Sequence, residues 1–189
     1  KYNFIPITIG GKIKKLSQIY KYLERGADKI SINSGAFEKK DLIKNAAKEF
    51  GSQCIVVSID VKKIKGEYKV FIKNGSVNTN MKLENWVNIV QSEGAGEILI
   101  NSIDRDGSKK GYDFKIIDKI KNQIKVPIIF CGGVGHWKDF KMALNKKEID
   151  AVAAANIFHH FDQSDYLAKD YLIKHKIKNI RPPQFFKNP

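Results

Sequence analysis

An α/β fold around a parallel sheet is predicted by three observations. Short apolar runs alternate six times with helix-spaced amphipathic stretches, and connections of that kind between parallel strands are right-handed. The apolar runs end in Gly-Gly, Asn or Asp, at the carboxyl ends of strands where parallel α/β proteins bind their ligands. The chain also repeats itself. Pro6 is followed by Gly10-Gly11, with Asp28 standing 17 residues after Gly11; Pro127 is followed by Gly132-Gly133, with Asp150 standing 17 residues after Gly133. ADKISINS (27–34) and AGEILINS (95–102) match as well. Duplicated βα pairs suit a closed barrel better than an open sheet, so the expectation is a (β/α)8 TIM barrel with about six of its eight βα units in this chain. Six units in 189 residues fall short of the ~250 typical of that barrel, which predicts a missing amino-terminal quarter, either disordered or absent.

In order, the chain predicts a strand at Phe4–Ile9 closed by Gly10-Gly11, a helix from Lys14 to Gly26 with Leu16, Ile19, Tyr20 and Leu23 on one face, and a strand over Ala27–Asn33. Ser34-Gly35 reads as a loop before a helix at about Lys39–Phe50, and Cys54–Asp60 as a strand closed by a carboxylate. Tyr68–Lys73 alternates like a hairpin arm, and with the Asn- and Gly-rich Asn74–Asn80 it marks an insertion at 64–80. A helix at Leu83–Glu93 leads to the strand Glu97–Ile100 and a long loop, Asn101–Gly111, holding Asp104, Arg105 and Asp106. A helix (Phe114–Gln123), a strand (Val126–Phe130), Gly132-Gly133-Val134-Gly135, a helix (Trp137–Leu144), a strand (Ala151–Ala155) and a helix near Ser164–His175 complete one domain, with an irregular tail at 180–189.

Composition narrows the function classes. Hydrophobic content is 42% and no apolar run approaches the ~18 residues of a membrane span. The chain opens on Lys1 rather than Met, reads as cut there, and shows no signal segment, so a cytoplasmic protein is expected. The net charge is +14, yet only Arg25, Arg105 and Arg181 are arginines, and the lysines are scattered over helix faces. That pattern argues against a nucleic-acid site and for a surface that draws in a phosphorylated anion. Cys54 and Cys131 lie in apolar runs without a CxxC and read as reduced core residues. His136, His159, His160 and His175 show no metal-ligand spacing, so neither metal nor cofactor is expected; His136 reads as a helix start and the His159-His160 pair as a loop.

The chemistry is expected at strand ends. Each Gly-Gly lies where a strand turns toward a helix and lets backbone N–H groups approach an anion. Paired with Asn33-Ser34 and Asn156, the two glycine segments suggest two phosphate sites across one barrel mouth. Asp60 is either a general acid/base at that mouth or a turn cap, and Asp106 carries the same ambiguity.

GADKISIN with Ser34, GSQCIVVSID, GAGEILINSIDRDG with GYD, and CGGVG followed by AAANIF resemble the cyclase subunit of imidazole glycerol phosphate synthase over nearly the whole chain. The resemblance implies a barrel that receives ammonia from a glutaminase subunit in a heterodimer. It closes a phosphoribulosyl formimino carboxamide ribonucleotide into imidazole glycerol phosphate, releasing an aminoimidazole carboxamide ribonucleotide. It further implies that Asp60 is one of two catalytic carboxylates, the other lying in a first strand outside this chain. Gly11, Asn33 and Ser34 would hold one phosphate, and Gly107, Gly133, Ala155 and Asn156 the other, with Asp106 lining the site between them. Lys29 and Glu97 would form the charged gate for ammonia, and Asp28 would face the glutaminase. The chain departs from the family where Lys12, Ile13 and Lys14 replace a third glycine and an arginine, and where Asn101 and Asn156 replace threonine or serine. Those departures keep open an alternative, a cyclase-like synthase that amidates a nucleotide-linked surface sugar. A third reading is a non-catalytic barrel binding phosphorylated ligands or RNA through its charge.

Overall fold

The structure, a computed structural model, describes residues 5–39, 41–159 and 164–182. The strands are β1 (Thr8–Gly10), β2 (Lys29–Ile32), β3 (Ile55–Ile64), β4 (Glu67–Ile72), β5 (Val77–Lys82), β6 (Glu97–Ser102), β7 (Ile128–Cys131) and β8 (Ala151–Val152). The α-helices are α1 (Leu16–Glu24), α2 (Ser34–Glu38), α3 (Leu42–Phe50), α4 (Leu83–Ser92), α5 (Phe114–Ile120), α6 (Trp137–Leu144) and α7 (Ser164–Lys174). Six strands run parallel in the order β1-β2-β3-β6-β7-β8, with a helical connection between successive members, and β4 and β5 form an antiparallel arm on the end of β3. This is a partial (β/α)8 barrel.

Strand alternation builds the core. On β2, Ile30 and Ile32 are buried while Lys29 and Ser31 are half-buried; on β6, Ile98, Ile100 and Ser102 are buried while Glu97, Leu99 and Asn101 are half-buried. The buried set packs with Ile19 of α1, Ile43 of α3, Val87 of α4 and Ile116 of α5. Each such isoleucine contributes about 1.5–3 kcal/mol on leaving water. The other set faces the concave side. Lys29 on β2 and Glu97 on β6 form an ion pair although β3 lies between their strands, as a curled sheet requires.

The internal repeat has a structural basis. The Asp28 carboxylate accepts the Ile7 N–H at 2.7 Å while the Asp28 N–H reaches the Ile7 carbonyl at 2.9 Å. Asp150 does the same to Ile128, at 2.9 and 3.0 Å. In both copies a proline precedes the isoleucine, and the aspartate pins the start of one strand to the start of the next.

Several boundaries differ from the sequence reading. Ser34-Gly35 is helix, not loop: α2 starts at Ser34, and the stretch from there to Phe50 contains two helices. The expected loop Asn74–Asn80 contains most of β5, because the turn is confined to the four residues Lys73–Ser76, where Lys73, Asn74 and Gly75 take φ angles of 54°, 57° and 73° and the Ser76 N–H donates to the Lys73 carbonyl. β3 continues past Asp60 to Ile64, since antiparallel pairing with β4 holds it extended. The first strand covers only Thr8–Gly10, its entry having been taken by the Asp28 bonds, and the last only Ala151–Val152. Neither cysteine is fully buried; both are free and half-buried. His160 and 183–189 of the tail lie outside the described residues.

Candidate functional site

Register places the polar strand ends at one rim. Asp60 on β3 is paired with Asn101 on β6, and Asn101 with Cys131 on β7. Asp60 sits between two amide side chains: Asn33 Nδ2 donates to its Oδ2 at 3.1 Å and Asn101 Nδ2 to its Oδ1 at 3.3 Å. Burial pushes the Asp60 carboxyl above the ordinary aspartate range; the two amide donors pull it back, and the Asp106 charge pushes it up again. A carboxylate balanced in this way can take up and return a proton.

The hydrogen bonds continue outward. Ser34 Oγ donates to Asn33 Oδ1 at 3.2 Å and accepts the Lys73 backbone N–H at 2.9 Å, so the hairpin turn is tied through Ser34 and Asn33 to Asp60. Around this chain of bonds lies a cavity of about 840 Å³ lined by Gly10, Gly11, Lys12, Asn33, Ser34 and Asp60 among others. Gly35 makes the packing possible: a Cβ there would stand 1.9 Å from the Ile13 carbonyl oxygen. Lys12 adopts a left-handed φ of 55°, the conformation that glycine takes at least cost.

A second hollow lies across the rim, lined by Asp106, Gly107, Cys131, Gly132, Gly133, Ala155 and Asn156 among others. Gly132 (φ 96°) and Gly133 (φ 104°) pass so close to the central loop that a Cβ would stand 2.7 Å from the Ser102 carbonyl and 2.3 Å from that of Gly111. The Gly111 N–H donates to the Gly133 carbonyl at 2.8 Å, which locks the two glycine loops together. The position of a Cβ on Gly107 would be 3.8 Å from Asn156 Nδ2. Cys131, at this hollow, has its thiol pushed up to about 11 by burial and by the neighbouring carboxylates.

The three charges of the central loop divide their work. Asp104 accepts the Lys63 N–H at 2.8 Å, Arg105 donates to the Lys110 carbonyl at 3.1 Å, and Asp106 borders the second hollow. Tyr68 on β4 donates to Asp113 at 2.8 Å, which ties the hairpin to the start of α5. His136 caps α6, its Nδ1 accepting the Lys138 N–H while Asp139 accepts the His136 N–H.

Thus Gly11, Asn33, Ser34 and Asp60 gather at the first hollow, and Asp106, Gly107, Gly133, Ala155 and Asn156 at the second. Lys29, Glu97 and Asp28 lie at the opposite ends of the strands. Sequence reasoning missed Lys14, Glu38 and Lys73, which border the first hollow; Lys14 pairs with Glu38 at 2.7 Å and Lys73 with Glu38 at 3.9 Å. Only the hairpin's return onto the rim brings Lys73 there, and no local spacing signals it.

Parallel strands, helical crossovers and a rim carrying a half-buried carboxylate and two glycine-lined hollows define a (β/α)8-barrel protein with its candidate site at the carboxyl ends of the strands. The model of the histidine biosynthesis protein family matches residues 1–164, and the chain belongs to that family. Among its relatives is the imidazole glycerol phosphate synthase subunit HisF of Hydrogenobaculum sp., 46% identical over 92% of this chain and 69% of the relative. The proteins of the same name from Sulfolobus acidocaldarius (46%, 88% and 68%) and Clostridium botulinum (44%, 90% and 68%) are similar to it to nearly the same degree.

Proposed function

We propose that this chain is the cyclase subunit of an imidazole glycerol phosphate synthase, closing the imidazole ring of the histidine pathway with ammonia. Relatives of that name at about 45% identity support the reading, and nothing among them favours amidation of a sugar. The single observation that carries the chemistry is Asp60, half-buried, bracketed by Asn33 and Asn101, and raised above its ordinary range. Asp60 and a second carboxylate outside the described strands shuttle protons to and from the reacting groups while ammonia displaces one end of the formimino group, the ring closes and aminoimidazole carboxamide ribonucleotide leaves. Gly11, Asn33 and Ser34 hold one terminal phosphate; Gly107, Gly133, Ala155 and Asn156 hold the other; Asp106 lines the space between.

A glutaminase subunit supplies the ammonia at the amino ends of the strands, where the Lys29–Glu97 pair gates the barrel interior and Asp28 lies at the docking face. Asp28 serves the fold as well, since its carboxylate holds the Ile7 N–H. Among the described residues no helix is long and apolar enough to cross a membrane. Asp60→Asn in the protein with its full barrel is expected to abolish ammonia-dependent ring closure, followed as imidazole glycerol phosphate formed, and to leave ribonucleotide affinity within about threefold. Unchanged turnover would refute the assignment.

A further inference from the structure

Among the described residues, three buried side-chain oxygens have no hydrogen-bond partner: Glu93 Oε2, Gln123 Oε1 and Asn101 Oδ1. Only Asn101 is at the rim, and its amide is held in one orientation. Nδ2 donates to Asp60, so Oδ1 must turn the other way; exchanging the two would set a carbonyl oxygen against the Asp60 carboxylate. Oδ1 comes to 3.0 Å from where a Cβ on Gly132 would stand, on the side of the second hollow. A buried carbonyl without a donor is costly to leave unmet, and the natural compensation is a donor that arrives with the ligand.

We propose that Asn101 is a positioning residue that binds the substrate: its amide fixes Asp60, and its free carbonyl accepts an N–H from the nitrogen-bearing middle of the ribonucleotide. The inference rests on the function proposed above, in which a substrate held at both phosphates crosses the rim between Asp60 and the second hollow. Its carboxamide and formimino groups supply N–H donors there.

Two substitutions in the protein with its full barrel separate the two ends of the amide. Asn101→Thr keeps a donor near Asp60 and removes the carbonyl. It is expected to weaken binding of aminoimidazole carboxamide ribonucleotide about tenfold by calorimetry and to raise KM for the substrate similarly, with the pH profile in place. Asn101→Asp keeps an acceptor and removes the donor, setting a second carboxylate beside Asp60. It is expected to move the acid limb of the kcat profile upward by at least one pH unit. A merely structural role would lower the melting temperature of both variants without this split. Ribonucleotide binding that Asn101→Thr leaves within twofold of the unsubstituted protein would overturn the inference alone. An unsubstituted protein that binds no ribonucleotide would overturn it together with the proposed function.

Discussion

Asp60 shows how one residue is tuned by its neighbours. Four influences act on the carboxyl: burial and the Asp106 charge favour the protonated form, and the Asn101 and Asn33 donors favour the ionised one. If Asp60 acts as proposed, the acid limb of the activity profile should lie above the ordinary aspartate range, and its position should respond to each neighbour with a definite sign. Asp106→Asn removes a like charge and should lower the limb; Asn33→Leu removes a donor to the ionised form and should raise it. Measuring kcat against pH for both variants checks the pair of signs, and a shift in the same direction for both would contradict this account of the site. The residue scale was also where the sequence was most legible, because Asp60 closes an apolar run and the Gly-Gly pairs recur. It was least legible for Asn101, since an unsatisfied carbonyl depends on which way an amide turns, and that is decided by a neighbour 41 residues away.

At the scale of elements, the short helix α2 deserves its place in the site because of how it is seated. Its second residue, Gly35, touches the backbone of the loop that follows β1, leaving no room for a methyl group. Gly35→Ala should cost about 1–3 kcal/mol through overpacking, read as a lower melting temperature, and should weaken the phosphate binding proposed for the first hollow because Asn33 and Ser34 move with the helix. A variant as stable as the parent would show that the loop yields without cost. Nothing in the sequence around Ser34-Gly35 revealed this helix. Gly is a poor helix former, and the element exists because tertiary contact overrides local propensity. The hairpin of β4 and β5 was hidden in part for a related reason: the polar, asparagine-rich stretch 74–80 looks like loop, yet pairing with β4 and the tight turn at Lys73–Ser76 make a strand of its second half. By contrast α6 ran as its spacing predicted, from Trp137 to Leu144, because its apolar face and its cap at His136 agree.

The whole molecule adds what no single element holds. A charge of +14 spread over lysines should attract the doubly phosphorylated substrate proposed above before any contact forms. kcat/KM should accordingly fall several-fold as ionic strength rises from about 0.01 M, where the Debye length is ~30 Å, to about 0.1 M, where it is ~10 Å, with kcat nearly constant; steady-state kinetics over that range would detect it, and a flat response would mean that the lysines play no part in capture. The parallel order of the six strands was foreseeable from alternation alone. The curvature that brings Lys29 to Glu97 over β3 was not, because it arises from the sheet as a body. The paired aspartates at 28 and 150 carry a last consequence. Each sets the stagger of its own two strands with bonds made inside a single strand–helix–strand cassette, so each cassette brings its alignment with it. A designer who joined copies of either one in tandem would inherit matched strand starts at every such joint, without having to specify them again.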